Sequence, residues 1–161
     1  MTVRNALLED LDNILGAYRT ARRFMAETGN PSQWADFYPP EELVRKDIEG
    51  GNLYVIEENS ELCGVFAFFP EGDPAYDEII GTWLNDLPHA AIHRVASTGI
   101  KKGVIAECVR YCLTRSNNLK IDTYKDNKAM QHQLQKYGFV PCGTLKTESP
   151  DEYIAFQLYS E

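Results

Sequence analysis

An almost unbroken apolar run at residues 62–69 constrains the fold of this chain most strongly. A strand with one solvated face alternates apolar and polar residues, whereas this run is apolar at nearly every position. A strand of this kind is covered on both faces, so the run predicts a sheet that lies between other layers of structure. A polar turn around Glu58 to Ser60 separates it from another predicted strand at residues 52–59, which indicates a hairpin.

The other segments carry helical or strand patterns in a defined order. Predicted strands cover residues 2–6, 52–59, 61–69, 90–97, 118–124, 139–146 and 152–159, and predicted helices cover 7–25, 39–51, 104–112 and 127–138. Residues 70–79 read as a polar connector. This order predicts an α/β or α+β fold, a single domain over residues 1–161 with a mixed sheet and helices on both faces. It excludes a doubly wound dinucleotide-binding fold, which places a glycine-rich turn after its first strand.

The composition excludes several classes of partner. The 161 residues carry 16 Lys and Arg against 24 Asp and Glu, a formal net charge of -8. Nucleic-acid phosphates require clustered basic residues, so we expect no nucleic-acid partner. No apolar run approaches the roughly 20 residues of a membrane span, and residues 1–12 contain no apolar leader, so we expect a cytoplasmic protein without a membrane partner. The four cysteines match no zinc-binding spacing, and we expect no metal.

The stretch HRVASTGIKKGVIAECVRYC, residues 93–112, has a layout that suits an anion. It reads as a strand end, a turn, and an amphipathic helix. A helix N-terminus offers unpaired backbone N–H groups and about half a positive charge, and the loop before it can surround a phosphate. Gly103 lacks the Cβ that would block this approach, while Lys101 and Lys102 add positive charge. The alternative is that Gly99 and Gly103 are ordinary turn residues and that the lysines are only solvated.

Two segments resemble motifs of the GNAT superfamily of N-acetyltransferases, which use acetyl-CoA. Residues 93–109 resemble the coenzyme A pyrophosphate loop, written R/Q-x-x-G-x-G/A, that follows the fourth strand. Residues 126–139, DNKAMQHQLQKYGF, are similar to a later motif with an Asn, a small or apolar residue three positions on, a Leu-Tyr pair, and then Lys-x-Gly-Phe. The order of elements is also similar along the whole chain. The resemblance implies a mostly antiparallel mixed sheet in which the fourth and fifth strands are splayed apart.

The resemblance also implies which residues bind acetyl-CoA as co-substrate. The loop and helix start would hold the pyrophosphate, a backbone N–H of the fourth strand would polarise the thioester carbonyl, and the Asn would contact the coenzyme near its pantetheine arm. The implied coenzyme-binding residues are Val95, Ala96, Ser97, Lys101, Lys102, Gly103, Val104, Ile105 and Asn127.

Three positions depart from the family pattern. When Gly103 is aligned with the central glycine, Ile100 stands at the usual Arg or Gln and Ile105 at the final Gly or Ala. Either Ile105 clashes with the phosphates or its side chain turns into the domain while its N–H faces them; a register shifted to Ala106 restores a small residue. Leu134 stands where the family often has the tyrosine that protonates the leaving thiolate. A thiol has a pKa near 8.5, so water can protonate the leaving group.

Five residues are candidates for chemistry or acceptor binding. His93 is the first candidate for the base that takes a proton from the amine, since it lies on the fourth predicted strand, where the family often has a glutamate, and imidazole accepts a proton near neutral pH. Asp122 is a weaker candidate. Trp34, Tyr38 and Trp83 can form an aromatic wall or a cation–π site for an amine, or they can instead close the end of the core.

The resemblance therefore implies an enzyme, an N-acetyltransferase that moves an acetyl group from acetyl-CoA to a primary amine of a small molecule or a peptide. Transfer would be direct, within a ternary complex. The alternative is a catalytically weak or inactive GNAT-like module that binds acyl-CoA, which Leu134 and Ile105 suggest. A more remote alternative is a dimerisation domain that uses its C-terminal strands, and the resemblance also allows a homodimer.

Overall fold

The computed structural model describes residues 1–148 and 152–161. Within them the helices are α1 (Leu11–Glu27), α2 (Glu41–Glu49), α3 (Val104–Leu113) and α4 (Lys128–Lys136). The strands are β1 (Thr2–Asn5), β2 (Leu53–Glu58), β3 (Glu61–Phe69), β4 (Ile79–Gly81), β5 (Ala90–Ser97), β6 (Asn118–Tyr124), β7 (Val140–Leu145) and β8 (Tyr153–Tyr159). Short 3-10 helices occur at Leu8–Asp10 and Pro74–Tyr76. The eight strands form an open mixed sheet.

The chain divides into two compact units. The first unit consists of Met1–Phe68 and Arg94–Cys108, and the second of Phe69–His93 and Val109–Glu161. Strand β5 therefore gives its first four residues to the second unit and its last four to the first. The predicted single domain over residues 1–161 stays a prediction.

The first unit is built around strand β3. Its strand order is β1-β2-β3-β5, with β1, β2 and β3 running antiparallel. All residues from Cys63 to Phe68 are buried, which confirms that the apolar run is covered on both faces. Helix α1 buries Leu11, Ile14, Tyr18 and neighbours at three- and four-residue spacing, so one apolar stripe of the helix faces the core.

The second unit has the strand order β5-β6-β8-β7-β4. Strands β5 and β6 run parallel, whereas β6, β8, β7 and β4 pair antiparallel with their neighbours. Among the described residues, the register of β5 with β6 covers only Ala90 opposite Leu119 and Ala91 opposite Lys120. Pairing thus ends early although both strands continue, as the resemblance implies for the splayed pair.

The sequence-based fold class, a mixed α/β fold with a mostly antiparallel sheet, is confirmed, and one element differs. The segment at residues 70–79 is more than a connector, because it contains a 3-10 helix and the start of β4. Strand β4 has only three residues and no alternating pattern; it exists because Ile79 to Gly81 pair with β7 more than 60 residues away. The predicted fourth and fifth strands are accordingly β5 and β6. Within residues 1–148 and 152–161, no helix has both the length and the apolarity that crossing a membrane requires.

Candidate active site

The predicted coenzyme loop, residues 97–105, lies in the first unit and is shaped by its backbone. Thr98 N donates to Cys63 O at 2.9 Å, and Gly99 N donates to Ser97 Oγ at 3.1 Å. Gly103 has a φ of +88°, a left-handed conformation that side chains rarely adopt. The loop then enters α3 at Val104. The glycine is therefore required by the backbone, whatever binds there.

The start of α3 has backbone donors to offer. Glu107 N donates to Gly103 O at 3.0 Å. For the backbone N–H groups of Val104, Ile105 and Ala106, the described residues provide no recorded acceptor. The first N–H groups of a helix lack an intrahelical partner and favour an anion. The side chain of Val104 is buried, whereas those of Ile105 and Ala106 are half-buried.

The two loop lysines differ in their surroundings. Lys101 Nζ lies 2.9 Å from Glu58 Oε2, and this contact raises the pKa of the lysine and lowers that of the carboxyl. Lys102 is exposed. Glu58 also lies 3.6 Å from the N-terminal amine of Met1. A phosphate that binds Lys101 therefore has to compete with a carboxylate already at the loop.

The other implied coenzyme residues are placed as follows. Val95 and Ala96 are buried in β5, and Ser97 is half-buried. Asn127 precedes α4, where its side-chain oxygen accepts a hydrogen bond from Met130 N at 3.0 Å and caps the helix. Leu134 is buried in α4, so the residue at the family's tyrosine position packs in the core.

His93 lies in the second unit and is held by Asp73. His93 Nε2 is 2.8 Å from Asp73 Oδ2. A carboxylate only accepts hydrogen bonds, so Nε2 carries a proton and Nδ1 is the ring atom that can act as a base. The ring also packs against Phe69, edge-on at 5.6 Å, and against Tyr76 at 5.5 Å between centroids. The imidazole is thereby fixed in both orientation and tautomer.

Asp73 is itself held from two sides. Its Oδ1 accepts a hydrogen bond from Ala75 N at 2.9 Å, capping the 3-10 helix Pro74–Tyr76, and its backbone N–H donates to His89 Nε2 at 3.2 Å. Burial and, secondarily, the charge of Lys120 lower the pKa of His89, in agreement with a neutral ring that accepts this bond. Asp73 thus contacts both His89 and His93.

Tyr76 and Asp122 form the buried part of the same region. The Tyr76 hydroxyl donates a short hydrogen bond to Asp122 Oδ1. Burial raises the pKa of the Asp122 carboxyl, although the bond from Tyr76 and the nearby His93 act in the opposite direction. Burial also raises the pKa of the Tyr76 phenol. Asp122 therefore retains its place as the second candidate for a base, and Tyr76 is a poor proton donor to a thiolate.

The three aromatic residues predicted to bind the acceptor have partners within the protein. Trp34 is 7% exposed and packs edge-on against Tyr18 at 5.7 Å, which favours its alternative role in the core. Tyr38 is half-buried, and its hydroxyl lies 3.2 Å from Arg94 Nη1. The ring of Trp83 has the ammonium of Lys120 4.0 Å from its centroid. That face of the indole already binds a cation of the chain.

Solved structures of acetyltransferases share this fold. A GNAT-family acetyltransferase from Streptococcus agalactiae aligns with a TM-score of 0.88 and 27% identity, over 99% of this chain and 95% of that chain. A protein from Staphylococcus aureus assigned as an acetyltransferase aligns with a TM-score of 0.73 and 25% identity, over 99% of each chain. A GNAT-family acetyltransferase from Bacillus cereus gives a TM-score of 0.65 and 18% identity, over 99% of this chain and 97% of that one. The chain has the GNAT fold. No family model matches its sequence, and no curated protein matches it either.

Acyl transfer is the general chemistry that this GNAT fold supports. The space beside Gly103 is compatible with the pyrophosphate of acetyl-CoA. A Cβ built on Gly103 would meet only the flexible end of Met1, at 3.5 Å, so no backbone atom crowds the space beside this glycine. Among the described residues, no group of His, Cys, Asp and Glu side chains is arranged to hold a metal ion.

The sequence alone did not indicate two residues of the candidate site, Asp73 and Tyr76. The sequence Asp73-Pro74 is a helix-start signal, since Asp caps a helix and Pro favours its first position. That signal predicts the local turn. It carries no information on the second carboxyl oxygen, which reaches His93 20 residues further on, or on the Tyr76 hydroxyl, which reaches Asp122 across 46 residues.

Proposed function

We propose that this protein is an acetyl-CoA-dependent N-acetyltransferase that acts on a primary amine of a small molecule or a peptide. The amine nitrogen attacks the thioester carbonyl carbon, a C–N bond forms, the C–S bond breaks, and the coenzyme leaves as a thiolate. Transfer occurs directly in a ternary complex, so no acyl-enzyme forms. The pairing of His93 with Asp73 is the observation that carries this proposal, because it supplies an oriented base.

His93 accepts the proton that the amine loses. Its Nε2 is engaged by Asp73, so Nδ1 is the atom that receives the proton. Asp73 acts through His93 and is a positioning residue; it stabilises the imidazolium that forms, as a carboxylate does for the histidine of hydrolytic triads. The proton then passes to solvent. Side-chain bases of this kind contribute about 100- to 10,000-fold in rate.

Backbone groups perform the remaining steps. A backbone N–H in the Val95 to Ser97 region donates to the thioester oxygen as negative charge develops on it. The N–H groups at the start of α3, together with Lys101 and Lys102, hold the pyrophosphate. Because Leu134 is buried and apolar, solvent protonates the leaving thiolate, which its pKa near 8.5 allows.

Thiol release from acetyl-CoA over a panel of primary amines tests the proposal. We expect at least one amine to raise thiol release above the hydrolysis background, with the acetylated amine appearing in equal amount by mass spectrometry. His93→Ala should remove this increase and leave acetyl-CoA binding intact by calorimetry. His132→Ala is the matched control, since His132 is exposed on α4 and has no part in the scheme.

The second candidate function is an acyl-CoA-binding module without turnover, which the apolar Leu134 favours. Coenzyme binding without amine-dependent thiol release would establish it in place of the enzyme. A failure to bind acetyl-CoA at about 1 mM, an affinity worth only about 4 kcal/mol, would contradict both. The cytoplasmic location, the homodimer and the lack of nucleic-acid or membrane partners stay predictions.

A further inference from the structure

Arg94 has an unusual backbone for a strand residue. Its φ is +52° in the middle of β5, where extended strand residues have negative φ. A residue other than glycine avoids this left-handed region unless the surrounding structure holds it there. In strands the conformation accompanies a bulge, which redirects the neighbouring peptide groups. Something in the first unit must therefore stabilise Arg94 in this state.

The backbone carbonyl of Arg94 is anchored by a tyrosine. Tyr18 Oη donates to Arg94 O at 2.9 Å from a side chain that is 0% exposed. Trp34 packs against the Tyr18 ring and limits its movement. Buried hydroxyls are costly to leave unpaired, so this bond holds the carbonyl in one direction.

The side chain of Arg94 is anchored as well. Its Nε and Nη2 donate to the two carboxylate oxygens of Asp47 at 2.7 and 3.0 Å, and Nη1 lies 3.2 Å from Tyr38 Oη. Burial alone would lower the pKa of the guanidinium, but the contact with Asp47 raises it, so Arg94 stays charged. A two-point contact of this kind fixes an arginine in orientation and position. Asp47 is only 4% exposed.

We propose that Tyr18, Arg94 and Asp47 form a clamp that positions the Val95 N–H as the donor to the thioester oxygen. In a trans peptide the C=O and the following N–H point in opposite directions within one plane. The Arg94–Val95 bond is trans, so fixing the Arg94 carbonyl on Tyr18 also fixes the direction of the Val95 N–H. This inference rests on the proposed function. It narrows the Val95 to Ser97 region to one donor and assigns three positioning residues.

The test uses acetyl-CoA labelled with ¹³C at the acetyl carbonyl. A donor to the thioester oxygen weakens the C=O bond, so the infrared band of the bound ligand lies at a lower wavenumber than that of the free one. We expect this shift in the wild type. In Tyr18→Phe, which keeps the ring, the band should return towards the free position and kcat should fall about tenfold, less than the loss of an entire oxyanion donor. Binding of coenzyme A, which lacks the carbonyl, should change by less than twofold.

Two further variants separate the clamp from general damage. Arg94→Gly tolerates the positive φ but removes the guanidinium, and it should broaden the carbonyl band without abolishing coenzyme A binding. Asp47→Asn should also broaden the carbonyl band, to a smaller extent. It replaces Tyr18→Phe as the test variant if Tyr18→Phe fails to fold. Tyr111→Phe, which removes a hydroxyl on α3 that accepts a hydrogen bond from Arg115, should leave the band unchanged.

The outcomes distinguish this inference from the proposed function. A wild-type band at the free position, or an identical band in Tyr18→Phe, overturns the clamp even when amine-dependent thiol release is observed. A shifted band that depends on Tyr18, without thiol release for any amine, supports the clamp and overturns the proposed turnover. Absence of acetyl-CoA binding overturns both.

Discussion

The proposed coenzyme loop at residues 97–105 and the histidine cluster, which comprises Asp73, Tyr76, His89, His93 and Asp122, are built in different ways. The loop uses backbone donors and a left-handed glycine, and its side chains are largely exposed. The cluster uses side-chain contacts between residues 16 to 46 positions apart, several of them buried. The loop should therefore tolerate changes of side chain except at glycine, whereas the cluster should be sensitive to the loss of single polar atoms.

The largest effect should come from the base. His93→Ala should lower kcat by about 100- to 1,000-fold, within the usual contribution of a general base. Asp73→Asn keeps an oxygen for the cap on Ala75 but loses the charge facing His93, and it should lower kcat by less. Because the two residues act as a unit, the double variant should be no slower than His93→Ala alone, measured by steady-state thiol release. Additive losses would contradict the pairing.

The next effect concerns stability within the cluster. Tyr76→Phe removes the hydroxyl that donates to Asp122 and leaves a buried carboxyl short of a partner. We expect the free energy of unfolding to fall by about 1–3 kcal/mol, measured by urea denaturation. Tyr137→Phe is the control, because the hydroxyl of that half-buried tyrosine has no recorded hydrogen bond among the described residues. Equal stability of the two variants would show that the bond to Asp122 is not stabilising.

In the loop, a change at Gly103 should lower the affinity for acetyl-CoA. Gly103→Ala forces a Cβ onto a φ of +88° and should weaken acetyl-CoA binding about tenfold by calorimetry, which corresponds to the strain of about 1–2 kcal/mol for a left-handed residue. Gly51→Ala has a φ of +72° and nothing within 4 Å of the added carbon, so it carries similar strain away from the loop. Affinity lowered equally by both changes would contradict the placement of the phosphates.

The Lys101–Glu58 contact should give a smaller change in the opposite direction. Glu58→Gln removes the carboxylate that pairs with Lys101 and that, in the proposed complex, competes with the pyrophosphate for this lysine. Because exposed ion pairs are weak, we expect coenzyme affinity to rise by only about two- to threefold, and less at high salt. Titrations at low and high salt check this. An affinity that falls in Glu58→Gln would show that Lys101 does not face the coenzyme.

The smallest effect should be a change in how the stability of the protein depends on pH. Burial raises the pKa of Asp122 above its usual 3.8, so the folded state keeps a proton that the unfolded state has lost. The free energy of unfolding should therefore fall as the pH rises above about 4, and Asp122→Asn should lose this slope. Burial lowers the pKa of His89, so this residue contributes the opposite slope below about pH 6.5. The wild type and Asp122→Asn are therefore compared at each pH. Parallel curves would contradict the raised pKa.

The same difference explains what the sequence can predict. The residue types of Gly103, Lys101, Lys102 and the first turn of α3 indicate a turn followed by a helix. The loop and the helix were therefore predictable from a window of about ten residues. The apolar run at residues 62–69 likewise predicts a buried strand. Strand β4 and the partners Asp73 and Tyr76 depend on pairing between distant segments, for which a local pattern carries no signal. The clamp on Arg94 is also long-range, since Asp47 and Tyr18 lie 47 and 76 residues away.

The division of labour between loop and cluster is tested most directly by measuring the acetyl-CoA dissociation constant and kcat together for Gly103→Ala and His93→Ala. We predict a crossed result. Gly103→Ala should weaken binding and keep kcat at saturating acetyl-CoA, whereas His93→Ala should keep binding and lose kcat. If both variants change both quantities in parallel, the loop and the cluster do not have separate roles and the account is wrong.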